Sequence, residues 1–510
     1  MLKKVLIANR GEIAVRISRT LREMGIRSVA VFSEADRDAL HVRTADEAYA
    51  IGPAAAAESY LRIDKLLDVA KRAGCDGLNP GYGFLSENPE LPEACERAGV
   101  TFIGPPASAM RAMGLKTAAR EKMAAAGVPI VPGGDANSAE QGLATAARIG
   151  YPVMLKARAG GGGKGMRLVT KESELPGALE RAQSEAKKAF GDDTVYIEKA
   201  IIRPRHVEIQ VLGDRDGNMV HLFERDCSVQ RRHQKVVEET PCPAIDDAIV
   251  QKMGEVAVQG AKAVGYFSAG TFEFLLSEDK SFYFLEMNTR LQVEHPITEL
   301  VTGVDLVREM VRIAAGESLE FDQSGVTRRG AAIECRVYAE DPATGFLPSP
   351  GVIQRLRTPA GPGVRDDGGA YEGCTISANY DPLISKLSVW APNRARAVAR
   401  MRRALSEYVV SGIRTNLPFH ERLFEHPEFV AGRYDTSFID RYRDELLKGS
   451  RLAADEKATF AAAVAIAAYR AEHTGKGPNS AINGNGNGNG SGLSPWVATH
   501  RARLGYSRRT

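Results

Sequence analysis

Short apolar runs alternate with amphipathic stretches through the first hundred residues of the chain. Val5–Ala8 is a continuous apolar run bounded by charge and glycine, which is typical of a buried strand. In Glu12–Met24 the apolar residues recur every three or four positions, which predicts a helix that Gly25 ends. A second strand is predicted over Ser28–Phe32. This rhythm continues to about residue 104 and predicts a parallel sheet with helices on its faces.

Beyond residue 112 the pattern changes. Residues 113–193 predict a smaller α/β unit, and residues 194–330 predict strands that enclose dense polar motifs. A mixed segment follows and ends near residue 447. The clearest strand patterns of the polar segment are Val207–Val211, Phe272–Phe274 and Phe282–Leu285.

The last segment, residues 448–510, differs in composition from the rest. It contains an alanine-rich stretch, Ala458–Tyr469, that predicts a helix. An Asn-Gly repeat, Asn483–Gly490, then predicts a flexible linker that buries little surface. The final Leu493–Thr510 is rich in arginine and predicts either a disordered end or a short docking peptide, and the sequence favours neither.

Composition narrows the classes of protein that the chain can be. Its 510 residues exceed what one hydrophobic core usually serves, so about two to four structural units are expected. Lys and Arg total 67 against 64 Asp and Glu, which leaves no electrostatic footprint for nucleic acid or an anionic membrane. Neither a signal peptide nor an apolar run of about 18 residues is evident. Six scattered cysteines suit a reducing compartment, so we expect a cytoplasmic enzyme.

A run of glycines is the first candidate for binding a phosphate group. Gly160–Gly163 follows the apolar strand Pro152–Leu155, and Lys156 ends that strand. Glycines let main-chain N–H groups approach phosphate oxygens, and the lysine could neutralise phosphate charge. A glycine run by itself is more often a flexible surface loop. No P-loop pattern is present, and the first strand–helix turn, Ala8–Gly11, lacks the G-x-G-x-x-G pattern of a dehydrogenase.

Two carboxylates and an amide form a second candidate site. Glu273 lies in one strand pattern, and Glu286 and Asn288 lie in the next. Alternation along that strand projects Glu286 and Asn288 to one face and Met287 to the other. Oxygen ligands of this kind suit Mg²⁺ shared with triphosphate oxygens. A single strand glutamate is usually solvated surface, but acids flanked by Phe and Leu on both strands favour a metal site.

A third cluster combines a cation, an amide, a carboxylate and an imidazole in the short loop Asn288–Pro296. Arg290 can grip a planar anion with its fork of donors, and Glu294 beside that anion could remove a proton. Further cations lie in Glu224–Lys235, which we expect between two strands. A charged exposed loop explains its arginines individually, but the density of polar donors favours a binding segment.

Eight strings of residues, taken in their order along the chain, resemble those of the biotin carboxylases. No single string would suffice, but together they make the resemblance specific from Met1 to about Leu447. The matching strings are NRGEIA (Asn9–Ala14), NPGYGFLSEN (Asn79–Asn88), FIGP (Phe102–Pro105), KARAGGGGKGM (Lys156–Met166), PRHVEIQV (Pro204–Val211), ERDCSVQRRHQKVVEE (Glu224–Glu239), EMNTRLQVEHP (Glu286–Pro296) and ECRVYAEDP (Glu334–Pro342).

The resemblance implies an α/β and α+β architecture in three domains. Residues 1–112 would form an N-terminal parallel α/β domain. Residues 113–330 would form an ATP-grasp fold with a mobile lid at about 130–200, and residues 331–447 a C-terminal biotin carboxylase domain. Lys164 stands where the family often has arginine, which keeps the charge but loses the fork geometry.

The resemblance also assigns residues to ligands. The ATP-binding positions that it implies are Lys116, Lys156, Gly162, Gly163, Glu198, Lys199, Ile201, His206, Gln230, His233, Leu275 and Glu286. The positions for Mg²⁺ or Mn²⁺ are Glu273, Glu286 and Asn288. The bicarbonate positions are Lys235, Arg290, Gln292, Val293 and Glu294. The residues beside the ureido ring of biotin are Tyr82 and Arg336, and the catalytic set is Lys235, Arg290, Glu294 and Arg336.

From these positions we expect an ATP-dependent carbon–nitrogen ligase that carboxylates biotin with bicarbonate, through carboxyphosphate. Glu294 would act as the general base on bicarbonate, which Lys235, Arg290 and Gln292 would hold in line with ATP. Arg336 would stabilise the enolate of biotin. Closure of the glycine-rich lid would exclude water.

Two absences in the sequence bear on the partners. No lysine lies between two methionines, as it does in a biotinyl domain, and no segment is long enough for a carboxyltransferase. We therefore expect a separate biotin carboxyl carrier protein and a carboxyltransferase that is a separate subunit. The resemblance implies in addition that this chain forms a homodimer. The carboxyl acceptor (acetyl-CoA, propionyl-CoA, another acyl-CoA or pyruvate) stays open, with the acyl-CoA carboxylases favoured.

Two other functions stay open. Another ATP-grasp ligase that forms an acylphosphate, such as a carbamoyl-phosphate synthetase or a purine-biosynthetic carboxylase, would share the Glu286–Arg290 motif. Gln292–Glu294 and Glu334–Arg336 favour biotin carboxylase instead. A regulatory subunit that only binds a nucleotide would need no Glu294, so this residue argues against that hypothesis.

Overall fold

Three sheets of four or more strands organise the chain in the computed structural model, which describes residues 1–157, 167–190 and 193–447. The first sheet is parallel, and the other two are antiparallel. No helix in those ranges combines the length and the apolar character needed to cross a lipid bilayer.

The N-terminal sheet is parallel throughout, as the strand and helix patterns predict. Val5 and Ile7 pack on one face with Ile13, whereas Leu6 packs on the opposite face with Val29. Both faces are therefore buried, which explains the continuous apolar run. The elements are β1 (Lys4–Ile7), α1 (Gly11–Glu23), β2 (Arg27–Ser33), α2 (Leu40–Thr44), β3 (Glu47–Gly52), α3 (Ile63–Ala73), β4 (Gly77–Asn79), α4 (Glu90–Arg97), β5 (Thr101–Phe102) and α5 (Ala107–Gly114). The strand order is β3-β2-β1-β4-β5.

A small antiparallel sheet follows, and its two faces differ in chemistry. Val153, Leu155 and Ile197 are buried among helix residues on one face, whereas Lys156 and Glu198 project from the other. The elements are α6 (Lys116–Ala125), β6 (Gly133–Asp135), α7 (Ala139–Ile149), β7 (Val153–Ala157), β8 (Arg167–Val169), α8 (Leu175–Phe190) and β9 (Val195–Lys199). The strand order is β6-β9-β7-β8.

The third sheet carries most of the polar motifs. Its elements begin with β10 (Arg205–Gly213), β11 (Met219–Arg231), β12 (Gln234–Thr240), α9 (Asp247–Ala263), β13 (Ser268–Leu276), β14 (Phe282–Asn288), α10 (His295–Thr302) and α11 (Leu306–Ala314). They continue with β15 (Ala331–Tyr338), β16 (Glu340–Asp341), β17 (Leu347–Pro348), β18 (Gly351–Val352), β19 (Arg355–Arg357), β20 (Val364–Gly368), β21 (Thr375–Ile376) and β22 (Leu383–Ala391). The chain then forms α12 (Arg394–Glu407), β23 (Val409–Ser411), α13 (Leu417–Glu425), α14 (Pro427–Val430), α15 (Phe438–Arg441) and α16 (Arg443–Leu447).

This large sheet has the order β14-β13-β10-β11-β12-β15-β22-β20, so it continues across residue 330. The connection is the antiparallel pairing of β12 with β15, in which Glu238 lies opposite Glu334. Arg336 of β15 in turn lies opposite Lys386 of β22. Polar residues that are distant in sequence therefore share one face of one sheet.

Most of Glu224–Lys235 lies within two strands and not between them, contrary to the sequence prediction. Strands β11 and β12 take up all of it except Arg232 and His233, which form the turn with left-handed φ angles of 50° and 66°. Polar residues of this segment pair across neighbouring strands, as Arg225 does opposite Glu208. A high density of polar donors is therefore a poor indicator of a loop when both sheet faces are buried.

Phe272→Ala tests the core beneath β10, β13 and β14. Phe272 is fully buried, with its ring centroid 5.9 Å from that of Phe284. The substitution is expected to lower the free energy of unfolding by about 3–5 kcal/mol, because a cavity replaces the ring. Leu285→Ala, on the neighbouring strand at 37% exposure, is the control and is expected to cost under about 1 kcal/mol. Denaturant unfolding of both variants measures the difference, and equal losses would contradict this account of the core.

Candidate active site

Acidic side chains of three neighbouring strands face one another on the large sheet. Glu208 of β10 lies opposite Glu273 of β13, which lies opposite Glu286 of β14. His206 shares the face of Glu208 because the two residues are two apart on one strand. Glu208 and Glu273 are buried, so their mutual repulsion is costly unless a cation lies between them.

Lys235 supplies that cation from β12. Its ammonium group donates hydrogen bonds to Glu208, to Glu273 at 2.8 Å and to Glu294 at 2.6 Å. Burial alone would lower the pKa of Lys235, but the three carboxylates outweigh it and hold that pKa well above its usual value. Lys235 therefore stays charged and gathers acids from three separate segments.

A second buried cation, Arg225, lies behind Glu208 and was not singled out from the sequence. It is fully buried and donates to Glu208, to Gln210 at 2.7 Å and to Thr298 at 2.9 Å. Because side chains alternate along a strand, the sequence could have predicted that Glu208 shares the polar face of β10 with His206. The partner across the sheet depends on the register between β10 and β11, which local sequence does not reveal.

Glu294 ends the loop that precedes α10 and is completely buried. One of its carboxylate oxygens accepts the bond from Lys235, and the other accepts a bond of 3.0 Å from Nη2 of Arg336. Burial would raise the pKa of Glu294, but Lys235, Arg336 and Arg225 outweigh it, so that pKa lies well below its ordinary range. Glu294 is therefore ionised at neutral pH and held between two cations.

Arg336 is shared between Glu294 and a further acid, Glu238, that sequence reasoning missed. Its Nε donates to Glu238 at 2.8 Å. Burial raises the pKa of Glu238 to about 7, although Arg336 opposes the shift. The Glu238 carboxyl therefore changes charge near neutral pH beside a predicted catalytic arginine.

Arg290 forms its hydrogen bonds with groups other than Glu294. Its Nε donates to Glu87 at 3.0 Å, and its Nη2 donates to Oδ1 of Asn288 at 2.9 Å. Gln292 lies deeper, with its amide nitrogen 3.4 Å from Glu273. Four of the five predicted bicarbonate residues thus lie in one loop, and the fifth, Lys235, contacts that loop from β12. Glu87 ties the loop to the N-terminal segment.

A polar chain links His206 to the acids. Its Nε2 lies 3.0 Å from Oε2 of Glu273, and its Nδ1 lies 2.7 Å from the amide nitrogen of Gln230. Burial lowers the pKa of His206, but Glu273 outweighs it and the net shift is upward. Leu275 lies directly opposite His206 on β13, so three of the predicted ATP-binding residues are adjacent.

The small sheet brings together other predicted ATP-binding residues. Lys156 donates a hydrogen bond to Glu198, which also accepts one of 3.1 Å from Arg120. Lys199 is different, because its ammonium group donates to the main-chain carbonyls of Gly150 and Tyr151. Lys156 and Glu198 therefore share a face of the sheet, whereas the Lys199 side chain binds the main chain.

The remaining predicted ATP-binding residues that the structure describes lie in or beside different elements. Ile201 is partly buried just after β9, and His233 is exposed in the turn between β11 and β12. Lys116 is the first residue of α6. Gly162 and Gly163, like the glycine run to which they belong, lie outside the described residues.

Tyr82 and Val293, predicted beside biotin and bicarbonate, are connected through a common neighbour. The main-chain carbonyl of Tyr82 accepts a bond of 2.7 Å from Asn9, which holds its loop. The Lys386 ammonium lies 5.7 Å from the Tyr82 ring centroid and donates to the Val293 carbonyl at 3.0 Å. Arg336 lies opposite Lys386, so these predicted residues occupy one region.

The predicted metal ligands lie on one face, as the alternation of β14 requires. Met287 packs into the core, whereas Glu286 is partly exposed opposite Glu273. The amide of Asn288 donates to Glu273 at 2.8 Å. Two carboxylates and an amide oxygen are hard ligands, so this donor set fits a divalent cation such as Mg²⁺.

A small antiparallel sheet with one polar face, and a large sheet that carries a carboxylate pair and the cations Lys235 and Arg336, fit the ATP-grasp class of ligases. Residues 1–110 match the family described as biotin carboxylase, N-terminal domain. Residues 116–321 match carbamoyl-phosphate synthase L chain, ATP binding domain, and residues 334–441 match biotin carboxylase C-terminal domain.

Individual relatives agree with these matches. Biotin carboxylase 1 of Bacillus subtilis is 54% identical over 87% of this chain and 99% of the relative. The biotin carboxylase of Halalkalibacterium halodurans is 52% identical over 87% of this chain and 98% of the relative. The biotin carboxylase domain dimer of Hydrogenobacter thermophilus 2-oxoglutarate carboxylase, solved with MgADP, ADP and bicarbonate, is 46% identical over 88% of this chain and 99% of that chain, with a TM-score of 0.79.

The chain belongs to the biotin carboxylase family. Its members are ATP-dependent ligases that use ATP, Mg²⁺ and bicarbonate to carboxylate biotin. The resemblance found in the sequence and the predicted enzyme class are thereby confirmed.

Glu238→Gln tests the raised pKa of Glu238. The folded protein holds this proton up to about pH 7, whereas the unfolded chain releases it near about pH 4.3. The contribution of this group to stability therefore falls as pH rises between those values. Glutamine stays neutral, so the difference between the Tm of the variant and the Tm of the unaltered protein should increase in favour of the variant from about pH 5 to about pH 8. Thermal unfolding at both pH values measures this gain. The exposed Glu278→Gln is the control, and a gain of the same size there would contradict the assignment.

Proposed function

We propose that the chain catalyses ATP- and bicarbonate-dependent carboxylation of biotin at a centre formed by Lys235, Glu294 and Arg336. The observation that carries this proposal is the geometry of Glu294, a fully buried carboxylate with one oxygen on each of two cations. Lys235 and Arg336 come from different strands, β12 and β15, and converge on this one carboxylate. An anion bound beside Glu294 could accept hydrogen bonds from both cations.

Glu294 acts as the general base on bicarbonate. Its lowered pKa keeps it ionised, so it is ready to accept a proton, but the same cations make it a weak base. Bicarbonate bound to Lys235 and Arg336 shares their charge and so restores basicity to Glu294. Gln292 and Arg290, from the same loop, add neutral and charged donors for the anion.

ATP binds between the small sheet and the large one. Lys156 neutralises phosphate charge, while His206, Gln230 and Leu275 line the large-sheet side. Glu273, Glu286 and Asn288 hold Mg²⁺, which supplies charge neutralisation at the triphosphate when it is bound. The remaining predicted positions (Lys116, Gly162, Gly163, Glu198, Lys199, Ile201 and His233) complete this site.

Biotin enters beside Tyr82 and Arg336. Arg336 presents a guanidinium group that two buried acids hold in place, which suits it to stabilise an oxyanion on the ureido group. Tyr82 lies near Lys386, which is the residue opposite Arg336 in the large sheet. Lys386 also donates a hydrogen bond to the Val293 carbonyl.

The biotin is carried by another polypeptide, and a separate subunit transfers the carboxyl group. Support comes from the coverage of 99% of a relative that is named for the biotin carboxylase step alone. The chain forms a homodimer, and the Hydrogenobacter domain, which was solved as a dimer, supports this assembly.

The N-terminal, ATP-grasp and C-terminal domains meet near residues 112 and 330, and the lid of the ATP-grasp domain covers about residues 130–200. The protein acts in the cytoplasm.

Glu294→Gln and Arg336→Met test the two catalytic roles. Each variant is expected to lose at least about 100-fold in kcat for biotin-dependent ATP cleavage, because a positioned base or an oxyanion-stabilising charge is removed. Arg403→Met, which removes an exposed cation that pairs with Glu407, is the control and is expected to keep full activity. Turnover near normal in either catalytic variant would refute the role of that residue.

The carrier is tested by affinity purification of the chain from its own cells. A biotinylated polypeptide, detected with labelled avidin, is expected to copurify. Bicarbonate-dependent ATP cleavage by the purified chain is expected to rise when free biotin is added. If no biotinylated protein copurifies and free biotin does not change the rate of ATP cleavage, the results would favour another ATP-grasp ligase instead.

A further inference from the structure

One buried lysine in this region has no role in the proposal above. Lys386 lies within β22 and has no exposed surface. It lies opposite Arg336 on β15, so the two side chains share one face of the sheet. A buried ammonium group is costly unless it is paired and hydrogen-bonded, so its partners indicate what it does.

The first partner is the main chain of the loop that carries Glu294. The Lys386 ammonium donates a hydrogen bond of 3.0 Å to the Val293 carbonyl. That carbonyl belongs to the planar peptide unit that joins Val293 to Glu294. The bond therefore restricts the main-chain direction from which the Glu294 side chain leaves.

The other two partners belong to the N-terminal domain. Oε2 of Glu12, in the first turn of α1, lies 3.2 Å from the ammonium, and neither Glu12 oxygen has a hydrogen bond to any other described residue. The ring of Tyr82 lies within cation–π distance at 5.7 Å. Lys386 thus joins a C-terminal strand, the Glu294 loop and the segments that carry Glu12 and Tyr82.

The charge around Lys386 is balanced by acids. Asp367 lies opposite it on β20. Burial would raise the pKa of Asp367, but Arg365 and Lys386 outweigh it and lower that pKa to about 2. Burial likewise raises the pKa of Glu12, to about 7, against the opposing effect of Lys386. Removing the lysine alone would leave Glu12 without its cation, so a fair test must remove both.

We propose that Lys386 is a positioning residue of the carboxylation centre, which holds the Glu294 loop and the Tyr82 segment in register by binding the Val293 carbonyl and Glu12 at once. This inference rests on the proposed roles of Glu294 and Tyr82. Lys386 acts through the main chain, since its hydrogen bond goes to Val293 and not to the Glu294 carboxylate.

A merely structural lysine gives a different kinetic result. Its loss would lower Tm and the folded fraction but leave the KM values of the folded enzyme unchanged. Loss of a positioning residue changes the steps that use Glu294 and Tyr82 while ATP binding is preserved. A displacement of about 1 Å at reacting groups costs on the order of 100-fold in rate, so the effect is large enough to measure.

The test compares two double variants that each remove a buried ion pair. The first is Lys386→Met with Glu12→Gln. The matched control is Arg328→Met with Glu224→Gln, since Arg328 donates two hydrogen bonds, of 2.7 and 2.6 Å, to the buried Glu224. For each, Tm and the KM values for ATP, bicarbonate and free biotin are measured, with kcat for biotin-dependent ATP cleavage.

The Lys386 double variant is expected to lose at least about tenfold in kcat/KM for bicarbonate and for biotin, with KM for ATP within about twofold. The control double variant is expected to keep all three within about twofold. Unaltered kinetics in the Lys386 variant, or equal kinetic losses in both variants, would overturn the proposal.

A second variant guards against failure of the first to fold. Lys386→Gln with Glu12→Gln keeps polar atoms in the buried site, and its shorter side chain cannot reach Val293, so the same kinetic split is expected. Unaltered kinetics in this variant would also overturn the proposal. Absence of biotin-dependent ATP cleavage by the unaltered protein would instead refute the proposed function.

Discussion

The ammonium group of Lys235 compensates three buried carboxylates, and the centre of the large sheet depends on it. Glu208 and Glu273 lie opposite each other on adjacent strands, and Glu294 enters from the loop before α10. Three acids in so small a buried space would repel one another strongly without this cation. In the proposed function the same charge also binds bicarbonate, so stability and the proposed activity depend on one group.

The large sheet brings these groups together because it continues across residue 330. Pairing of β12 with β15 places Arg336 beside Glu238 and Glu294, although Glu238 and Arg336 are 98 residues apart. The N-terminal domain contributes at the edge, where Glu87 contacts Arg290. Movement at any of these contacts would alter the surroundings of Glu294. The geometry of the site therefore depends on several strands of the sheet and not on one loop.

Local patterns along the chain predicted several features correctly. The apolar run Val5–Ala8 and the helix after it predicted a parallel sheet, since a strand buried on both faces must be apolar throughout. Alternation along β14 predicted that Met287 would face the core and Glu286 the opposite side. The long motifs identified the family, because many residue types at fixed spacing in one order cannot arise from composition alone.

By itself the sequence determined the family, the fold class and the residue types available for ATP, metal and bicarbonate. The tertiary structure alone decided which of these residues meet. It showed that strands β11 and β12 take up most of Glu224–Lys235, and it revealed Glu238 and Lys386 as partners of predicted site residues. It also revealed Arg225 as the partner of Glu208, which shares Lys235 with the predicted residues. The physical reason is that buried charges select partners through strand register, which sets contacts between residues far apart in the chain and leaves no local periodic signal.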